Sequence, residues 1–307
     1  MKRFLAMALL FRRLTSWPLI ALFCALLQFI LLPAVQAVQL VVREIAPIKI
    51  ELPPLEKHDQ LPHSRVTHGS RNIAAAWLSA PTDRYPHGVL GDQLESSTLM
   101  VETSTGRMLH AQLPRTRVFE DLGARLADMD ADGRDEILVV ESDAALGSAL
   151  AVYAIQDRRL IRIAGTPFIG QPNRWLNPLG AGDFNGDGQL DIALVATPHI
   201  GGILRLYEYA VPELKLFAEY KGVSTHAIGS TELGLGQVVS AHPRDWLLVP
   251  DQTRSTMLLL EWSPGGWQIK SRVALTGQIA SSLVQSGENR WRLRLDNGKH
   301  IEIDLQD

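Results

Sequence analysis

From Asn72 onward the chain alternates short apolar runs with Gly, Pro, Asn and Asp. Ile137–Val140, Ala149–Tyr153, Ile192–Val195, Ile203–Tyr207, Met257–Trp262 and Trp291–Leu295 are each four to six residues long. They are rich in β-branched, aromatic and leucine side chains, and several alternate apolar with polar positions, which is the pattern of β-strands. No window sustains a 3.6-residue apolar stripe. The pattern therefore predicts an all-β fold with almost no helix.

Two of these runs belong to a repeat. Asp128-Met-Asp-Ala-Asp-Gly-Arg-Asp-Glu-Ile-Leu-Val-Val140 and Asp183-Phe-Asn-Gly-Asp-Gly-Gln-Leu-Asp-Ile-Ala-Leu-Val195 lie 55 residues apart. Each is followed by a second run (Ala149–Ile155, Ile203–Tyr209) and a third (Leu160–Ala164, Leu214–Tyr220). With the run leading into each acidic loop, that makes four strands per repeat. Copies without the acidic loop follow at Asp245–Val249 and Arg290–Leu295, and one precedes at Ser97–Val101. These five anchors are about 48 residues apart, the size of a four-stranded β-propeller blade. Five blades over residues 73–307 is the simplest count. The last copy is one strand short, and Ile73–Ser79 has no partner of its own, so it is expected to complete the final blade as an N-terminal closing strand.

The acidic loops carry the chemistry. Positions 1, 3 and 5 are Asp or Asn, position 6 is Gly and position 9 is acidic. These are Asp128, Asp130, Asp132, Gly133 and Glu136 in the first loop, and Asp183, Asn185, Asp187, Gly188 and Asp191 in the second. Alternating carboxylates on a tight turn converge on one point, and calcium is a hard cation that takes six to eight oxygens. The backbone carbonyls of Arg134 and Gln189, at position 7, offer a further oxygen. An EF-hand would need Glu at position 12 and a following helix, whereas that position is Val139 or Leu194 inside a strand-like run. Asp135, an extra acid at position 8, is expected to be solvated.

These loops resemble the FG-GAP/VCBS repeat, the unit of integrin-α-like β-propellers, most specifically over residues 119–209. The resemblance implies a propeller fold with two calcium ions, mainly structural. It also implies side-chain ligands Asp128, Asp130, Asp132 and Glu136, then Asp183, Asn185, Asp187 and Asp191. In the third copy Gln237, Val239 and Ala241 stand where acids belong, so no ion is expected there. The motif says little about the partner.

Composition changes the picture at the N-terminus. Residues 1–37 contain Lys2, Arg3, Arg12 and Arg13, no acids and the only cysteine, Cys24. A positive flank, an apolar run Pro18–Leu32 and small residues at Val35 and Ala37 have the form of a secretory signal peptide. The alternative is an uncleaved membrane anchor over residues 14–35. Phe23 before Cys24 does not fit a lipid-attachment site. Residues 38–72 hold Pro47, Pro53, Pro54 and Pro62 and read as an extended linker with one strand-like run, Val38–Ile45. His58, His63 and His68 in it read as solvated. With four of the chain's 30 basic residues and none of its 33 acids in the leader, the remainder carries −7. That balance, with no basic stripe, speaks against nucleic acid, and the lack of a second cysteine excludes a disulfide scaffold. Two calcium ions would bring the charge back to near −3.

Three functional classes follow. The first is an exported, periplasmic or secreted, non-catalytic binding or assembly module in the cell envelope, with a protein or carbohydrate partner that the sequence does not name. The second is a propeller enzyme, a hydrolase or lyase acting on sugars or phosphate esters at the channel mouth. Its best candidate is the polar cluster Asp83, Arg84, Tyr85, His87 and Asp92, which also reads as an ordinary inter-strand loop turning at Pro86. His199, His226 and His242 lie in different repeats, and their convergence is not readable from sequence. No catalytic residue is assigned, since Gly-x-Ser-x-Gly, His-Glu-x-x-His and phosphate-loop motifs are all absent. The third class is an anchored envelope protein tethered by residues 38–72.

Overall fold

The computed structural model describes residues 38–47 and 56–306. The leader, with its signal-peptide and anchor readings, lies outside the described residues. The strands are β1 (Gln39–Ile45), β2 (Thr67–His68), β3 (Ile73–Thr82), β4 (Glu95–Thr103), β5 (Met108–Gln112), β6 (Arg117–Phe119) and β7 (Arg125–Ala127). Next come β8 (Glu136–Asp143), β9 (Gly147–Gln156), β10 (Arg159–Gly165), β11 (Leu176–Gly182), β12 (Asp191–Ala196), β13 (Ile203–Glu208) and β14 (Lys215–Lys221). The remainder are β15 (Gln237–Val239), β16 (Trp246–Pro250), β17 (Thr256–Ser263), β18 (Gly266–Ala274), β19 (Val284–Gly287), β20 (Arg290–Arg294) and β21 (His300–Gln306). The fold is all-β, with no helix among the described residues.

All pairings between these strands are antiparallel. Three sheets have four strands each: β11-β12-β13-β14, β15-β16-β17-β18 and β19-β20-β21-β1. A nine-stranded sheet contains two more four-stranded meanders, β2-β3-β4-β5 and β7-β8-β9-β10, bridged by β6, which pairs with both β4 and β8.

Successive side chains of a strand point to opposite faces, and here the two faces serve different cores. Ile192, Leu194 and Ala196 of β12 join the cluster built on the first two meanders. Ala193 and Val195, between them, join a second cluster with Leu247, Val249, Leu258 and Leu260 from the next sheet. In that next sheet Leu248, Met257 and Leu259 turn the other way, toward Trp291, Leu293, Ile301 and Ile303 of the last one. Consecutive sheets are therefore stacked face to face in chain order. This accounts for continuous apolar runs such as Ile137–Val140, which are buried on both faces. Each fully buried Leu or Ile contributes roughly 1.5–3 kcal/mol.

Two expectations are corrected. Ile73–Ser79 does not complete the last sheet. It is the core of β3, paired with β4 through Trp77↔Met100 and Leu78↔Leu99. It is the second strand of the first meander, so Ser97–Val101, taken as the anchor there, is the third. The cause is the 12-residue connection 83–94, far longer than the β8–β9 hairpin. The last sheet is completed instead by β1, from the stretch read as linker. Its apolar side packs Leu40, Val38 and Val42 against the Trp291–Ile303 core, and Arg43 pairs with Glu302 at 2.6 Å. An N-terminal strand does close the final sheet, but it is Gln39–Ile45. Residues 56–64 also pack: Gln60, Leu61 and Ser64 are buried, and Leu61 N–H donates to the Leu78 carbonyl.

Candidate functional site

The two acidic loops join equivalent strands, β7 to β8 and β11 to β12. Their local wiring is the same. The amide of position 2 donates to the carboxylate of position 9: Met129 to Glu136 at 2.9 Å, and Phe184 to Asp191 at 3.3 Å. The amide of position 6 donates to position 1: Gly133 to Asp128 at 3.1 Å, and Gly188 to Asp183 at 2.9 Å. Position 5 donates to position 3, and position 7 donates to position 5, in both loops. Local bonds of this kind are what Asp and Asn offer a turning backbone. Positions 4 and 6 have positive φ in each loop, with Ala131 at 58° and Gly133 at 86°, then Gly186 at 82° and Gly188 at 83°. The buried residue at position 2, Met129 or Phe184, pins each loop to a core.

The loops differ at the centre. Asp128, Asp130 and Glu136 bring carboxylate oxygens within 4.8 Å of one another, and no other triple of His, Cys, Asp or Glu does so among the described residues. Oδ1 of Asp128 is buried and accepts no hydrogen bond. In the second loop the corresponding Oδ1 of Asp183 accepts from Gly186 and Asp187 amides at 2.7 and 3.2 Å. There Asn185 also donates Nδ2 to Asp187 at 3.1 Å. Burial pushes the Glu136 carboxyl up to about 7, opposed by the Met129 amide and reinforced by Asp130, Asp132 and Asp128. Burial likewise pushes Asp191 up to about 7, reinforced by Asp187 and Asp183. An orphaned buried oxygen amid mutually repelling carboxylates is the environment that a cation relieves. The donor set, hard oxygens on a tight loop, suits calcium.

Asp135 is not solvated. It is buried, accepts from Arg71 Nη1 at 2.6 Å, and its backbone amide is held by Asn72 Oδ1 at 2.7 Å. It ties the loop to the residues before β3, so its neighbours, not the loop's polarity, decide its exposure. The Arg134 side chain turns away to the Ile155 carbonyl, leaving only its backbone for the loop.

The polar cluster of residues 82–92 does not assemble as one group. Asp83 is exposed, Arg84 donates to the Arg117 carbonyl, and Asp92 caps the Leu94 amide. His87 goes elsewhere, to Glu120 Oε1 at 2.5 Å. Glu120 is fully buried and is also held by Ser142 and by Ser148 at 3.2 Å. Sequence reasoning missed this network because Glu120 lies 33 residues from His87 in an unremarkable connection. His199 and His226 do converge, 2.7 Å apart, whereas the structure records no such contact for His242.

Among known families, residues 128–194 match the model of the FG-GAP-like repeat. This stretch, covering both acidic loops and strands β8 to β11 between them, is similar to an FG-GAP-like repeat. No curated protein matches the chain.

Proposed function

We propose that the chain is an exported five-bladed β-propeller, stabilised by calcium in its two acidic loops, that acts as a non-catalytic binding or assembly module of the cell envelope. The observation that carries the reading is the wiring the two loops share within a stretch similar to the FG-GAP-like repeat. In the first loop Asp128, Asp130, Asp132, Glu136 and the Arg134 carbonyl hold the ion; in the second, Asp183, Asn185, Asp187, Asp191 and the Gln189 carbonyl. The ring arrangement is supported by a cavity of 260 Å³ lined by Thr67, Arg125, Gln237 and Ser282, which come from four of the five meanders. The stacking of consecutive sheets supports it too. Export rests on the sequence of residues 1–37 alone, and it agrees with calcium of the weaker, extracellular class.

The test is in two parts. The mass of the exported protein should place its N-terminus at Val38, and a retained leader would mean an anchored form instead. Chelation should lower the melting temperature, because a ligand of the native state stabilises it by mass action. A melt unmoved by chelator would remove calcium from the structural account.

A further inference from the structure

His199 lies in the turn after β12 and His226 in the connection between β14 and β15. The acidic loop precedes β12, so this pair sits at the other end of the strands. Nε2 of His199 and Nδ1 of His226 are 2.7 Å apart. The second nitrogen of His226, Nε2, lies 2.8 Å from the Ser230 carbonyl oxygen, which can only accept, so Nε2 carries the proton. Nδ1 of His226 is therefore a lone pair, and His199 Nε2–H donates to it. Trp175 fixes both rings, lying 9° from parallel to His199 at 6.1 Å and 4.9 Å from His226. Trp175 is itself held by its Nε1–H on the Glu120 carbonyl at 2.9 Å.

We propose that His199 and His226 form a two-imidazole site for a late first-row divalent cation of the zinc or copper class, separate from the calcium loops. Imidazole nitrogen suits these ions, whereas calcium takes oxygen. An imidazole that anchors one nitrogen on a backbone carbonyl and presents the other is oriented as metal-ligating histidines are. Both rings are neutral at pH 7, because burial lowers His199 to about 4 and His226 to about 3. On binding, the His199 proton moves from Nε2 to Nδ1 and no net proton is released. Metal–nitrogen bonds of 2.0–2.1 Å at a tetrahedral angle put the two nitrogens about 3.3 Å apart. The rings need to open by about 0.6 Å and swing by about 35° each, because their nitrogens face one another along the hydrogen bond and the metal would sit off that line. Among the described residues no third His, Cys, Asp or Glu ligand atom lies within 4.8 Å of both nitrogens. His226 is fully buried and His199 half-buried, so water or an incoming donor would take the remaining positions from the His199 side.

The experiment loads the calcium-saturated full chain with one equivalent of Cu²⁺ and records its electron paramagnetic resonance spectrum, alongside a Zn²⁺ titration. Hyperfine structure from two imidazole nitrogens is expected. His199→Asn, at the half-buried ring, should remove one nitrogen and weaken Zn²⁺ by at least about 100-fold, since even an outer-shell change costs 10–100-fold. His63→Ala/His68→Ala should change neither. A wild-type spectrum without two nitrogens, or one unaltered by His199→Asn, would overturn the site. The spectrum of the wild type needs no variant, so failure of a variant to fold cannot hide the answer.

Discussion

The loops at 128–136 and 183–191 share four backbone-to-side-chain bonds, from positions 2, 5, 6 and 7, yet they present different centres. In the first, Asp128 keeps a buried oxygen without a donor and three carboxylates crowd together. In the second, the matching oxygen of Asp183 takes two amides, and Asn185 ties down Asp187. One atom at position 3, Nδ2 in place of an oxygen, converts a repelling acid into an internal donor. The same loop grammar thus yields one centre whose carboxylate repulsion is unrelieved and one partly satisfied by its own amides. The first loop should bind calcium more tightly, and its apo form should be the less stable.

The largest effect is expected from removing both sites. At calcium 100-fold above Kd, each contributes about 2.7 kcal/mol, so Asp128→Asn/Asp183→Asn should lower stability by about 5 kcal/mol in calcium. In chelator that calcium-dependent loss should vanish, leaving only the effect of the substitutions on the loops' own bonds, and denaturant melts in both conditions read the difference. The histidine end supplies the contrast within the apo protein. His199 and His226 are held neutral by burial, with the charges of His87 and Arg254 acting on His199 and those of His199 and Arg254 on His226. An unfolded chain takes up those protons from about pH 6.5 downward and the folded one does not until about pH 4. The pair should therefore lower stability by a few kcal/mol as pH drops through that window. Glu136 and Asp191, raised to about 7, act in the opposite sense, so the histidine slope is the difference between wild type and His199→Asn. His199→Asn should flatten that slope while leaving the calcium difference between loops untouched.

Converting the second loop toward the first is the next smaller change. Asn185→Asp removes the donor to Asp187 and adds a charged ligand. It should tighten that site about tenfold, or about 1.4 kcal/mol, while lowering apo stability. Calorimetric titration of the variant checks both signs. Smallest is Ala131→Gly, which brings position 4 of the first loop to the residue found in the second. Ala131 sits at φ 58°, a conformation that costs a non-glycine residue about 1–2 kcal/mol. Glycine's larger freedom in the unfolded chain offsets roughly 0.5–1 kcal/mol of this, so apo stability should rise by less than about 1 kcal/mol, read from the apo melt.

Much of this comparison was legible in the chain. The two loops, their strands and the repeat spacing follow from local pattern, because each depends on residues close in sequence. Asp135 was misread because its partners, Arg71 and Asn72, approach from another meander. Strand β1 reads as a strand-like run inside a linker, since the prolines that follow it are local signals while its partner, β21, lies at the far end of the chain. Ile73–Ser79 was misplaced because an unusually long connection hid the strand order of the first meander. The histidine pair was invisible for the same reason as the closing strand: 27 residues and a whole hairpin separate its members.

The most direct test is calcium titration calorimetry on the wild type, Asp130→Ala and Asp187→Ala. The account predicts two ions per chain for the wild type and one for each variant, with Asp130→Ala losing the tighter site and Asp187→Ala the weaker. Null heats from all three proteins, or unchanged stoichiometry in both variants, would contradict it.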